Sequence, residues 1–360
     1  MWERPKARLK IDKIMAVKHS DFVARTPPFN CLKKGLAQKR KFTLMKRLLL
    51  IMVLIAALLS VNSVAPVLWL YLKKCPAQPT NEAVVEKLKT NSGEYFGFIA
   101  FGDNHAGFIF DDSAFLKMIR LMNREDRYKK LPIDFAVNLG DVTFSKGREW
   151  DYCIYDKLRS LIKWPVISLM GNHDYQKGGW RIFRQRLGKH EFAFSNRNSY
   201  FIALDNKITD LTEEQFAWLE SQLKKDSSYK HIFLFMHKPP ISLYQQSWYR
   251  PELSPWSYRL MKLCEQYNVK MVLAGHEHMF RERVFGGVRY VITGGAGMLI
   301  QIPEAEGGYL HYIVVRVNGD YVDYEVRKVF PPLWEYLTYY VWKEILYALK
   351  HIFLKDGLLL

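Results

Sequence analysis

Between about residues 95 and 328 the sequence predicts an α/β fold, and three observations carry that prediction. Phe96–Phe101, Ile133–Leu139, Val166–Met170, Tyr200–Leu204, His231–Met236 and Val269–Ala274 are short, nearly continuous apolar runs. That is the pattern of strands buried on both faces. Amphipathic helical stretches such as Ser113–Asn123, Thr212–Lys224 and Ser257–Tyr267 fall among them. Five of the six runs end directly in a polar, glycine-containing cluster or a lone histidine. Thr212 and Gln215 stand at capping-box spacing and mark a helix start. Beyond residue 281 strands dominate: Arg289–Thr293, Leu310–Val317 and Tyr321–Val326, with Asn318-Gly319 as the turn of a hairpin.

The 360 residues are 49% hydrophobic and 25% charged, which excludes a wholly disordered chain, a collagen-like fibre and a multi-span transporter. The net charge is +17, but residues 1–47 hold fourteen Lys/Arg against three Asp/Glu, so 11 of those charges sit in this basic arm. The rest carries no basic stripe, and no nucleic-acid partner is expected. Leu48 to Leu72 is a 25-residue run without a charge, long enough for a transmembrane anchor. A cleaved signal peptide is the alternative, with Met45–Arg47 before an apolar stretch and Ser63-Val64-Ala65 as the cleavage site; Pro66 argues against it. Seven Lys/Arg in the fifteen residues before the run, against four in the eighteen after it, place the basic side in the cytoplasm. The expectation is therefore a single-pass membrane protein, of the inner membrane in a bacterium, with its domain outside. Residues 73–94 read as a linker. Residues 329–360 read as an aromatic-rich amphipathic tail, with Leu337, Val341, Ile345, Ala348 and Ile352 at helical spacing, suited to a bilayer interface or to docking. Cys31, Cys75, Cys153 and Cys264 are scattered and suggest neither a disulfide framework nor a zinc finger.

The chemistry lies in the clusters after the strands. Asp103 and His105 follow the first, Gly140-Asp141 the second, Gly171-Asn172-His173-Asp174 the third, His237 the fifth and Gly275-His276-Glu277-His278 the sixth. Open α/β sheets bind ligands beyond the carboxyl ends of their strands, so these clusters should converge on one cleft. Oxygen and nitrogen donors without thiolate suit manganese, iron or zinc rather than calcium. Asp103/His105 and His276/His278 sit two apart, and in a locally extended chain each pair points to one side. Any one cluster alone is weak, since a single histidine or Asx is more often a cap or turn residue; five in order after five strands are not.

This set resembles the calcineurin-like metallophosphoesterase family, whose pattern is DxH, GD, GNH(D/E), a single His, then GHxH. The resemblance covers roughly residues 95–328. It implies a four-layer α/β/β/α sandwich, with the transmembrane and amphipathic segments added at the ends. It also implies two divalent metal ions. Asp103, His105 and His278 would hold the first, Asn172, His237 and His276 the second, and Asp141 would bridge them. His173 would stand beside the substrate phosphate as a charge stabiliser or general acid. The implied activity is hydrolysis of a phosphomonoester, phosphodiester or pyrophosphate by water activated between the metals. DxH argues against the tyrosine-ligated purple acid phosphatase branch, and Val291–Gly297 resembles the phosphodiesterase-like members. An anchor and an interfacial tail would fit a lipid-linked substrate, such as the pyrophosphate of a nucleotide-linked lipid; the resemblance equally implies cyclic nucleotides or glycerophosphodiesters as alternatives. The rival is a non-catalytic scaffold on the same fold, which has lost ligands in some relatives; here none is substituted. Asp174 is either a ligand-orienting group or a cap, Asp205 either a support or a turn residue, and Arg250 a phosphate binder in a lid over 241–256.

Overall fold

The computed structural model describes residues 51, 54, 65–125, 132–207, 210–225, 229–243, 254–297, 300 and 302–330. The basic arm, the apolar run up to residue 64 apart from residues 51 and 54, Arg250 with most of its loop, and the tail beyond 330 lie outside these residues.

Eleven strands form two sheets among the described residues. The first is ordered β11-β10-β1-β2-β3, from β1 (Tyr95–Phe101), β2 (Ile133–Asn138), β3 (Val166–Ser168), β10 (His311–Asn318) and β11 (Tyr321–Lys328). The second is ordered β4-β5-β6-β7-β9-β8, from β4 (Phe192–Asn196), β5 (Ser199–Ala203), β6 (His231–Met236), β7 (Met271–Ala274), β8 (Phe280–Phe285) and β9 (Val288–Thr293). In the first sheet β1, β2 and β3 pair in parallel and β10 and β11 antiparallel; in the second, β5, β6, β7 and β9 pair in parallel and the edge strands β4 and β8 antiparallel.

Side-chain alternation along the central strands explains why two sheets stack. Phe96, Phe98 and Ala100 of β1 enter the central core, while Ile99 and Phe101 point to the outer one. Likewise Phe233 and Phe235 of β6 face inward, and Ile232, Leu234 and Met236 face the opposite layer. This is the period of two of an extended chain, used on both faces. The Phe98 ring of the first sheet meets Phe135 of its own sheet and Phe201, Phe233 and Phe235 of the second at 5.1–5.8 Å. Helices cover the outer faces. We label α1 (Asn81–Leu88), α2 (Ile109–Met122), α3 (Glu149–Arg159), α4 (Asn172–Tyr175), α5 (Gly179–Arg186), α6 (Glu213–Leu223) and α7 (Pro255–Gln266). Phe115, Met118 and Ile119 of α2 and Tyr152, Ile154 and Leu158 of α3 pack on the first sheet. Phe216 and Leu219 of α6 and Leu260 and Cys264 of α7 pack on the second. Helix–sheet–sheet–helix is the layering that the family resemblance implies. The α6 capping box forms as expected: Gln215 N donates to Thr212 Oγ1, and Thr212 N to Gln215 Oε1. The last hairpin turns one residue later than Asn318-Gly319: Asn318 pairs with Tyr321, and Gly319-Asp320 form the loop, with Gly319 at φ 60°.

The chain before β1 departs from the sequence reading. No helix among the described residues is long and apolar enough to cross a membrane, which overturns the single-pass membrane address. The end of the apolar run, 65–72, is helical instead, and buries Val67 and Leu70 in the core outside the first sheet. Lys157 Nζ donates to Tyr71 O at 2.9 Å. Cys75 and Cys153 form a disulfide with their Cα atoms 5.4 Å apart, a pairing that scattered spacing did not suggest. The expected linker carries α1, whose Val84, Val85 and Leu88 complete the central core. Asn81 bonds the backbone of Ser168 twice, accepting from its N at 2.9 Å and donating to its O at 2.8 Å. Residues 65–94 are thus a strap bound along the domain.

Candidate metal centre

Five strand ends bring the predicted residues together: β1, β2 and β3 of the first sheet, β6 and β7 of the second. The turns that carry them are tight. Asp103, His105, Asp141 and His276 have φ of 62°, 49°, 51° and 69°, four of the eight non-glycine residues with positive φ among the described ones. Each such residue costs on the order of 1–2 kcal/mol and persists only where its surroundings impose it. Hydrogen bonds between the turns do so here: the backbone pairs Asp103 N to Gly140 O at 3.0 Å and His105 N to Asp141 O at 3.2 Å, and His276 N to the Asp103 carboxylate Oδ2 at 2.9 Å. The pairs therefore meet through left-handed turns and not through the extended backbone the sequence suggests. Gly171 and Gly275 are required by close approach, because a Cβ on either would overlap the Asp141 or the Asp103 carboxylate.

Asp103, His105 and His278 form one group whose donor atoms lie within 4.8 Å of one another; Asp141, His237 and His276 form a second; His105, Asp141 and His173 form a third that joins them. Asp141 Oδ2 lies 3.7 Å from His105 Nε2, 3.4 Å from His237 Nε2 and 4.0 Å from His173 Nε2. Asn172 joins through its Oδ1, 3.1 Å from His237 Nε2. Asp103, His105, Asp141 and His237 are buried, whereas the side chains of His173 and His278 are 35% and 25% exposed and mark the open side.

Two observations show that this donor set fits metal ions. Both ring nitrogens of His105 are buried without a hydrogen-bond partner, a costly state for an imidazole unless a cation takes one of them. Its separation from Asp141 is too long for a hydrogen bond and within the span of two donors each about 2 Å from one ion. His237 supplies the second observation. Its Nδ1 is committed to Leu139 O at 3.0 Å, so Nε2 faces two oxygens and requires something positive there. Burial alone would keep His237 uncharged, but the Asp141 carboxylate outweighs it and raises the imidazole to about 9. A metal would take the place of that proton. Burial holds His105 and His276 well below the ordinary imidazole range, in the neutral form a metal needs. Burial works to raise Asp141, yet His237 and His105 keep its carboxyl well below the usual range.

The centre rests on polar contacts that the sequence only partly revealed. Asp174 is fully buried and ties two turns together: Oδ2 accepts from Gly171 N at 2.9 Å and Val142 N at 3.1 Å, and Oδ1 from Thr143 N at 2.9 Å and Thr143 Oγ1 at 2.8 Å. Asn206, unflagged by the sequence, accepts from His237 N and Lys238 N at 3.0 and 3.1 Å and donates to Lys238 O at 2.6 Å. Its one signal is its place just after β5, the strand whose end carries no cluster of metal donors. Asn138 donates to Asn104 Oδ1 at 2.7 Å, beside Asp103 and His105. On the strap, Tyr71 donates to Asp112, whose carboxylate accepts from Gly107 N, two residues beyond His105. Asp205 does not touch the metal donors but pairs with His190 Nδ1 at 2.8 Å and with Lys207. His231 bonds Gly319 O, and His311 bonds Tyr309 O.

Comparison with known proteins agrees with this geometry. A probable glycerophosphodiester phosphodiesterase from Arcobacter nitrofigilis is 28% identical over 162 residues, covering 40% of this chain and 56% of the relative. A probable cyclic nucleotide phosphodiesterase from Xenorhabdus bovienii is 26% identical over 159 residues, covering 41% and 61%. The chain thus spans less than two thirds of the length of these curated relatives. The structure of a purple acid phosphatase from yellow lupin (Lupinus luteus) seeds superposes with a TM-score of 0.51 at 16% identity, over 66% of this chain and 52% of that one, a likeness of fold alone. The calcineurin-like phosphoesterase family matches residues 96–280, just over half of the chain and all five strand ends, and the protein belongs to that family.

Proposed function

We propose that this protein is a dimetal phosphoesterase that hydrolyses phosphodiesters. The observation that supports this most is the pair of donor groups sharing Asp141, with His105 buried and unsatisfied between them. In this reading Asp103, His105 and His278 hold one divalent ion, Asn172, His237 and His276 the other, and Asp141 both; manganese, iron and zinc all suit these donors. When bound, the ions supply Lewis-acid charge at phosphoryl oxygens and lower the pKa of water between them. Asp141 contributes the shared negative charge that lets two cations lie close together. His173 donates Nδ1–H to Phe144 O at 2.9 Å, which leaves Nε2 turned to the open side, placed to stabilise phosphoryl charge or to pass a proton to the leaving oxygen. Both curated relatives named above are described as phosphodiesterases, which favours a diester.

The test is metal-dependent cleavage of bis(p-nitrophenyl) phosphate, abolished by EDTA. His278→Ala should abolish turnover and reduce bound Mn²⁺. His173→Ala should lower kcat by about 10²-fold or more with metal content nearly intact. Loss of metal from His173→Ala would show its role to be misassigned. A Mn²⁺-loaded protein without turnover would leave the scaffold reading in its place.

A further inference from the structure

A wall of three aromatic rings borders the His105–His173 side of the centre. The carbonyl of Phe144 holds His173 Nδ1, and its ring meets the His105 ring with centroids 6.4 Å apart. Phe108 stacks on Phe144 at 4.9 Å with an 18° interplanar angle, and Phe110 meets Phe108 edge-on at 5.6 Å. All three are half-buried. Ile109, between Phe108 and Phe110, packs into the core outside the first sheet, so the chain sends one apolar side chain inward and keeps two aromatic neighbours near the surface. Core packing does not require large rings at the rim of so polar a centre, and a contiguous, partly accessible set of aromatic rings beside a candidate site points to ligand contact.

We infer that Phe108, Phe110 and Phe144 form the leaving-group subsite, which takes phosphodiesters whose departing alcohol is an aryl group or carries a planar base. The inference rests on the phosphoesterase reading and adds the substrate class. In hydrolysis a bond forms between the water oxygen and phosphorus. The bond from phosphorus to the alcohol oxygen breaks, its electron pair stays on that oxygen, and a proton completes the alcohol. His173 Nε2 is the group turned to that oxygen, because Nδ1 is held by Phe144 O. The substituent on the leaving oxygen then runs along Phe144 and onto Phe108. A planar π system stacks there at about tenfold or more in affinity, whereas a glycerol group has neither a flat face nor a cation to offer the rings.

The experiment compares Mn²⁺-loaded wild type, Phe108→Ala and Phe110→Ala on bis(p-nitrophenyl) phosphate, thymidylyl-thymidine and the neutral-headed glycerophosphoglycerol. Phe108→Leu keeps apolar bulk without a flat face and guards against a folding defect. The expected result is a fall of about tenfold in the ratio of kcat/KM for the aromatic over the glycerol ester, carried by KM, in all three variants. A matching fall on thymidylyl-thymidine assigns the wall to nucleobases; a fall on the nitrophenyl ester alone assigns it to simple aryl groups. Equal losses on every ester, or no loss on the aromatic ones, would overturn the inference. Absence of turnover by wild type on all three esters would instead defeat the phosphoesterase reading, and the subsite with it.

Discussion

Removing the Asp174 carboxylate separates the physical roles of the centre most sharply. Asp174→Ala leaves three backbone N–H groups and the Thr143 hydroxyl, all within the buried turns, without their acceptor. At roughly 1–1.5 kcal/mol each this amounts to about 5 kcal/mol. The carboxylate also has a cost of its own: burial and the nearby Asp141 raise it to about 6. A displacement of about two units is worth about 3 kcal/mol, which the alanine variant no longer bears. The net destabilisation is then on the order of 2–3 kcal/mol, or a Tm lowered by about 4–12 °C in a domain of this size. Asp174→Asn should recover only part of it, because its amide NH₂ must face donors on one side. Gly171 and Val142 flank Asn172 and Asp141, so loosening the turns should also weaken Mn²⁺ binding by about 10–100-fold. Differential scanning calorimetry and Mn²⁺ titration calorimetry read the two effects. An Asp174→Ala protein with wild-type Tm and wild-type Mn²⁺ affinity would refute the clamp.

Two further predictions concern the fold. The Cys75–Cys153 disulfide closes a sequence separation of 78 residues, which the chain-entropy model values at about 4.5 kcal/mol; Cys75→Ser should lower the denaturant midpoint, and reductant should do the same to wild type but not to the variant. His311 is fully buried, and burial pushes its imidazole down to about 4. The unfolded chain takes up that proton near 6.5 and the folded protein only near 4. This contribution is complete above about 6.5 and falls by about 3 kcal/mol as pH drops to about 4. His311→Gln should flatten the acid limb of stability between those values, and an unchanged slope in urea unfolding across that range would count against it.

Much of the fold is legible in the order of residues. Phe96–Phe101 and His231–Met236 are apolar at every or nearly every position, because each strand is covered on both faces; that predicts buried central strands, and the pairing of two sheets comes from the family resemblance. The edge strands are less visible. β8 carries Arg281, Glu282 and Arg283 and faces solvent over most of its length, so it lacks the apolar run that marks its neighbours. α3 escapes notice because Asp151, Asp156, Lys157 and Arg159, polar in sequence, are buried through partners such as Arg148 and Arg186. The strap misleads for a related reason: composition measures how apolar a segment is, not what covers it, and Val67 and Leu70 are as apolar against a protein core as against lipid.

Residue order alone specifies the donor set, its sequence along the chain and its attachment to successive strand ends, since metal chemistry restricts residue types and a parallel sheet aligns its carboxyl ends. The left-handed turns at Asp103, His105, Asp141 and His276, the four bonds to Asp174, the support from Asn206 and the docking of residues 65–94 come from tertiary contacts. Those depend on which backbone groups come within about 3 Å across distant loops, and local residue preference does not encode that distance.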